Sequence, residues 1–253
     1  MMIPRENASA GSNFLTMPLI AVLAVISLAG SLLLAGCQSV SGFSTTSLVR
    51  IIDASYNAPA VNVSVEGQLL ASNVGQGNIT TYGKFAPSAS ATVKITTSST
   101  GKALASTSGS LTANQSQSVL ITDIEAGYQV SVLQDQSVAA TTGHSDFRFI
   151  NQAPSTGAVD IYFLPGTSAT VYATAKPIIV GLAANAISDY VAIPSSSLYM
   201  VIAPAGTKLT ITATTIYTSG VFALVGGEVR TVLILDPQLS TRPVQVYTAD
   251  DVN

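Results

Sequence analysis

From Met17 to Ala35 the chain reads MPLIAVLAVISLAGSLLLA, apolar almost throughout and free of Asp, Glu, Lys and Arg. A membrane-spanning helix needs about 20 apolar residues, so this run is long enough to enter a bilayer. After Cys37 the pattern changes to short alternations. Val61, Val63 and Val65 alternate with Asn62, Ser64 and Glu66, a period of two that sends one set to a core face and the other to solvent. The same period runs through Val93 and Ile95, through Tyr128, Val130 and Val132, and through Val159, Ile161 and Phe163. It also places Leu209 and Ile211 on a strand with threonines between and beside them. The runs SVLI from Ser118 and TVLIL from Thr231 do not alternate, as expected of strands buried on both faces. Glu66-Gly67 marks a hairpin turn, since Gly accepts positive φ at low cost. Pro59, Pro87, Pro154, Pro194, Pro204 and Pro237 punctuate the runs, and no helical stripe follows Cys37. Many short strands with frequent turn signals predict an all-β chain built of antiparallel, immunoglobulin-like sandwiches.

The strand pattern is repeated. VRIIDASYNAPAVNVSVEG from Val49 lies without a gap over FRFINQAPSTGAVDIYFLPG from Phe147. Arg50 falls on Arg148, Asp53 on Asn151, Asn62 on Asp160 and Val63 on Ile161; further on, SVLITD from Ser118 resembles TVLILD from Thr231. A repeat of this length is a domain rather than a solenoid unit, whose period is about 20–50 residues. Two tandem sandwiches follow, over residues 49–137 and 146–253, with VAATTGHS between them as a small, polar linker.

The apolar leader ends in Leu34-Ala35-Gly36-Cys37. Small residues before a cleavage point are what a signal peptidase pocket accepts, and here they precede the sole cysteine of the chain. Leu-Ala-Gly-Cys resembles the lipobox of bacterial lipoproteins. That resemblance implies a lipid on the Cys37 thiol, cleavage of residues 1–36 as a signal peptide, and acylation of the new amino group. The leader offers a single cation, Arg5, beside Glu6, less charge than such leaders usually carry. Residues 37–48 then read as a lipidated tether. With no second cysteine there is no intramolecular disulfide, so the body must be held by its core.

Composition narrows the function. Charged residues make up 9% of the 253-residue chain and its net charge is −3, with no basic cluster. Nucleic acid requires Lys and Arg on one face to displace counterions, and is not expected as a partner. One histidine and one cysteine cannot make a zinc site, no calcium loop appears, and no cofactor is expected. His144 falls in the linker, away from the packing that a catalytic base needs. The acidic pair Asp250-Asp251 sits in what reads as a loose tail. Arg50 and Arg148 are candidate ligand contacts; the plainer reading, a strand-edge arginine paired with Asp53 or its equivalent, is preferred. Asp160 is a candidate ligand residue whose plainer reading is an outward strand or turn position.

VRIIDASYNAPAVNVSVEGQLLAS, from Val49, is similar to the opening of the domain of unknown function 4397, found in bacterial surface proteins. Val49, Arg50, Ala54, Ser55, Ala58, Pro59, Ala60, Val61, Val63, Val65 and Gly67 carry the resemblance. Two acidic positions of that motif are Asn57 and Asn62 here, and the second copy restores one as Asp160. The resemblance implies a β-sandwich surface module and no agreed activity. The expectation is a non-enzymatic, lipid-anchored envelope protein that meets the membrane through Cys37 and meets envelope proteins or glycans through its body. A carbohydrate-binding module is the alternative and a hydrolase the least favoured. Gln38, after the cysteine, resembles the outer-membrane class if the host has two membranes.

Overall fold

The computed structural model describes residues 45–252 except 57, 125–126, 212–215 and 238–243. Cys37, Gln38, the leader and most of the tether lie outside the described residues.

Among the described residues the regular structure is nearly all β. The first half carries β1 (Ser47–Asp53), β2 (Val61–Val65), β3 (Gln68–Val74), β4 (Gly83–Phe85), β5 (Ser88–Thr97), β6 (Ala103–Leu111), β7 (Ser116–Ile124) and β8 (Gly127–Gln134). The second carries β9 (His144–Gln152), β10 (Val159–Leu164), β11 (Ile179–Leu182), β12 (Ala186–Ile187), β13 (Val191–Pro194), β14 (Ser197–Pro204), β15 (Tyr217–Ala223), β16 (Val229–Leu235) and β17 (Gln245–Asp250). Among the described residues no sheet mixes the halves. The first half forms sheets β4-β1-β7-β8 and β3-β2-β5-β6; the second forms β12-β9-β16-β17, with β13 also on β9, and β11-β10-β14-β15. The strand order is therefore the same in both. Pairing is antiparallel except for one parallel pair in each half, β1 with β7 and β9 with β16.

Each half closes over its own apolar core. Val61, Val63, Val93, Ile95, Val119 and Ile121 fill the first; Phe147, Phe149, Val159, Ile161, Val232 and Ile234 fill the second. The alternating positions thus point inward as the period-two pattern requires. Glu66 and Gly67, with φ of 52° and 76°, turn β2 into β3 with both central residues in the left-handed region, the geometry that matches strand twist.

The unbroken runs have a second set of neighbours. Ile52, Ala54 and Leu120 from the first half pack against Ile150, Leu233 and Leu235 from the second. Val119 and Ile121 face their own core while Leu120 faces the other sandwich, which is why SVLI and TVLIL show no alternation. The layers stack four deep, with β1/β7 and β9/β16 at the centre, and residues 44–253 make one compact unit.

Three sequence expectations change. His144 is not in a linker: it opens β9 opposite Pro194. Leu209 and Ile211 are not on a strand: Leu209 is buried under a non-strand segment with Tyr162, Val201 and Ala203, and Ile211 is exposed. A short helix, α1 (Ala169–Thr174), breaks the all-strand pattern, with Ser168 capping its first turn. Its Tyr172 joins Leu209 on the outer face of β10 and β14.

Candidate functional site

The buried charges gather where the two sandwiches meet. Arg50 is 1% exposed and sits on β1 opposite Ser118 of β7. Its Nε donates to Ser118 Oγ at 2.9 Å. Its Nη1 crosses to the second sandwich and donates to the Asp250 carbonyl at 2.9 Å, while Nη2 pairs with the Asp251 carboxylate. Arg148 does the converse. It sits on β9 opposite Thr231 of β16. Its Nη1 donates to the Gln134 carbonyl at 3.1 Å and its Nη2 to Asp135 Oδ1 at 2.6 Å, both in the first sandwich.

Registers show that these partners are equivalent. Gln117 faces Gln134 across β7 and β8, and Arg230 faces Asp250 across β16 and β17. Gln134 and Asp250 therefore correspond, as do Asp135 and Asp251, the next residues in each half. Ser118 Oγ donates to Asp135 Oδ2 at 2.7 Å, and Thr231 Oγ1 donates to Asp251 Oδ2 at 2.7 Å. Two tyrosines complete the symmetry. Tyr82 donates to Asp135 at 2.8 Å and covers Arg50 with its ring at 4.8 Å. Tyr190 donates to Asp251 at 2.6 Å and covers Arg148 at 5.0 Å. Each arginine thus reaches the aspartate of the other sandwich, the reciprocal contact of a two-fold interface.

The cluster pairs two cations with two carboxylates and is buried. Burial alone would lower the pKa of Arg50, but Asp251, Tyr82 and Asp135 outweigh it and the pKa is raised. Burial raises the Tyr82 and Tyr190 hydroxyls well above the ordinary phenol range, reinforced by Asp135 beside the one and Asp251 beside the other. Both hydroxyls therefore keep their protons and act as donors. Two cations and two carboxylates, each with further hydrogen bonds, go most of the way to the condition under which buried charge is tolerated, although Arg148 Nε is buried with no hydrogen-bond partner among the described residues. The arrangement is suited to fixing two bodies in one orientation; its carboxylates are committed to arginine and its arginines to carboxylate.

The structure corrects the expected roles. Arg50 is not a strand-edge residue paired with Asp53, because β1 lies inside its sheet between β4 and β7. Asp53 instead accepts from the Ser55 amide and hydroxyl. Its Oδ2 is buried with no hydrogen-bond partner among the described residues. The equivalent Asn151 accepts from the Ala153 amide and donates through Nδ2 to the Gly157 and Leu182 carbonyls, each at 3.0 Å. Asp160 does not point outward: it is 3% exposed and accepts from the Gly181 amide at 2.7 Å and the Gly206 amide at 2.8 Å. Its counterpart Asn62 accepts from the Asn73 amide. Asn73 and Gly181 both have positive φ, 54° and 60°, at matching register breaks between neighbouring strands. The acidic position of the motif therefore pins a bulge.

Asp251 is not in a loose tail; it is 1% exposed. Asp135, Asp251, Tyr82 and Tyr190 went unrecognised in the sequence. A signal existed for the aspartates: Gln129-Val130 precedes Asp135 by the same spacing as Gln245-Val246 precedes Asp251.

Residues 47–162 match the model of a family described as a domain of unknown function, DUF4397. The match takes in the first sandwich and continues through β9 into β10. No curated protein matches the chain. Among solved structures, the Bacillus anthracis TIE protein is similar at 7% identity with a TM-score of 0.24, over 81% of this chain. The aligned part is 44% of that structure's length, and so slight a likeness bears on neither fold nor function.

Proposed function

We propose that this chain is a non-enzymatic lipoprotein of the cell envelope, anchored through lipid on Cys37, whose body is two copies of a DUF4397-like module joined into one rigid unit. The observation that carries the anchor is Leu34-Ala35-Gly36-Cys37 at the end of an uncharged apolar run. Stable anchoring needs two acyl chains or an equivalent second signal, at about 0.8 kcal/mol per buried methylene, and a multiply acylated cysteine supplies it. The matching strand orders and the paired positions Arg50/Arg148, Ser118/Thr231 and Asp135/Asp251 support duplication of one module. The same cluster supports a presenting or spacing role, because its charges hold the sandwiches to each other.

The test is processing. Cells fed a labelled fatty acid should yield a labelled protein whose first residue is Cys37, and Cys37→Ala should leave an uncut, unlabelled precursor. An intact leader on the wild-type protein would refute the anchor. In a host with two membranes, Gln38 supports the outer membrane, and fractionation should recover the protein there.

A further inference from the structure

A cleft of about 390 Å³ opens where β6, β7 and β8 of the first sandwich meet Asn185, β12 and the end of β9 from the second. That volume is at the lower end of small-molecule sites, about 300–1,000 Å³. None of its lining residues is Asp, Glu, Lys, Arg or His. An ionic ligand would find no counter-charge there and would lose its hydration uncompensated. The walls instead offer amides from Gln129, Gln152 and Asn185, with Leu120, Ile187 and the Tyr128 ring as apolar surface. Asn185 is preset: its φ is 62°, and its amide N–H is fixed on the Asn151 carbonyl at 2.7 Å. The cleft draws on both sandwiches, so the reciprocal Arg–Asp cluster that joins them also holds its walls in place.

We propose that this cleft is a binding site for a neutral, hydroxyl-rich ligand, a short uncharged glycan. Sugar hydroxyls both donate and accept, as side-chain amides do, and the C–H faces of a sugar ring match Ile187 and the tyrosine. The inference deepens the envelope-module reading and rests on it only for where the ligand is met.

The experiment uses the full chain in a polyoxyethylene detergent, which carries no sugar headgroup. Maltose, cellobiose and N,N′-diacetylchitobiose are titrated by calorimetry and by saturation-transfer NMR, with glucuronate and glucose 6-phosphate as charged comparators. At least one neutral disaccharide should bind saturably and the charged sugars should not. Gln152→Ala and Asn185→Gly, the latter keeping the positive φ, should each weaken binding about tenfold or more. Tyr128→Phe, which retains the ring, should stay within a few-fold, and Lys94→Ala on the exposed face of β5 should change nothing. Thermal melts of each variant guard against misfolding. The proposal is overturned if no neutral sugar binds saturably, if charged sugars bind equally well, or if folded Gln152→Ala and Asn185→Gly bind like wild type. None of these outcomes touches the lipid on Cys37, which the processing experiment tests separately.

Discussion

At position 53 the first sandwich buries a carboxylic acid where the second, at 151, buries an amide. Asn151 donates to two backbone carbonyls, whereas Asp53 Oδ2 has no partner among the described residues. Burial raises the Asp53 pKa; the Ser55 hydrogen bonds oppose that rise and the Asp123 charge adds to it. A raised folded-state pKa means that the folded protein prefers the protonated acid. The stability this contributes is full below the unfolded pKa and is lost as pH rises through the folded one. Asp53→Asn supplies the missing donor at every pH. Chemical denaturation at pH 7 should show the variant more stable by about 1–3 kcal/mol, the cost of an unsatisfied buried polar group. Near pH 3 the difference should shrink towards zero. A variant equally or less stable at pH 7 would show that the carboxylate is accommodated as a charge.

Among the elements, β17 does more than close a sheet edge. Its hydrogen bonds to β16 run from Leu235↔Gln245 to Arg230↔Asp250, and the residue that follows carries the carboxylate for Arg50. Asp251→Ala should therefore act across the sandwich boundary. It removes the carboxylate on Nη2 of the buried Arg50 and leaves only Asp135, 3.8 Å from its Nε, and removing one partner of a buried pair costs about 3–5 kcal/mol. Replacing both partners, as Asp251→Leu with Arg50→Met, should restore much of that loss, because well-packed apolar residues serve as well as a buried ion pair. Equilibrium denaturation of the single and double variants makes the comparison. If Asp251→Ala melts like wild type, the C-terminal residues do not hold the sandwiches.

For the whole molecule, the sequence predicts two tandem sandwiches joined by a small, polar linker. The shared face changes what a cut in the segment 138–143 should do. Separated halves would expose Ile52, Leu120, Ile150 and Leu233, leave Arg148 without Asp135 and leave Arg50 without Asp251, with only Asp135 of its own half, 3.8 Å from its Nε, as a carboxylate. The cut chain should therefore run as one particle on a sizing column and resist moderate salt, since buried pairs are screened far less than surface ones. Two separately eluting halves would show that the face is too weak to hold without the covalent link.

How much was legible follows from range. Period-two alternation is local, so Val61, Val63, Val159 and Ile161 were assigned to a core from the chain alone, and all are fully buried. The Glu66-Gly67 turn was legible for the same reason, because the left-handed φ of a tight hairpin restricts which residues can occupy it. The sequence also marked Arg50 and Arg148 as a repeated pair and showed SVLI and TVLIL to be buried on both faces. It did not show what covered the outer face. Leu209 was misplaced because alternation over a few residues cannot tell a strand from a segment draped over a sheet. The aspartates that the arginines reach in the other sandwich lie 201 positions away in the chain for Arg50 and 13 for Arg148. A repeat implies that two bodies are alike, not that they touch. Only the tertiary structure decided that like faces meet like, because burying two arginines is tolerable only where the other sandwich brings its aspartate to the same place.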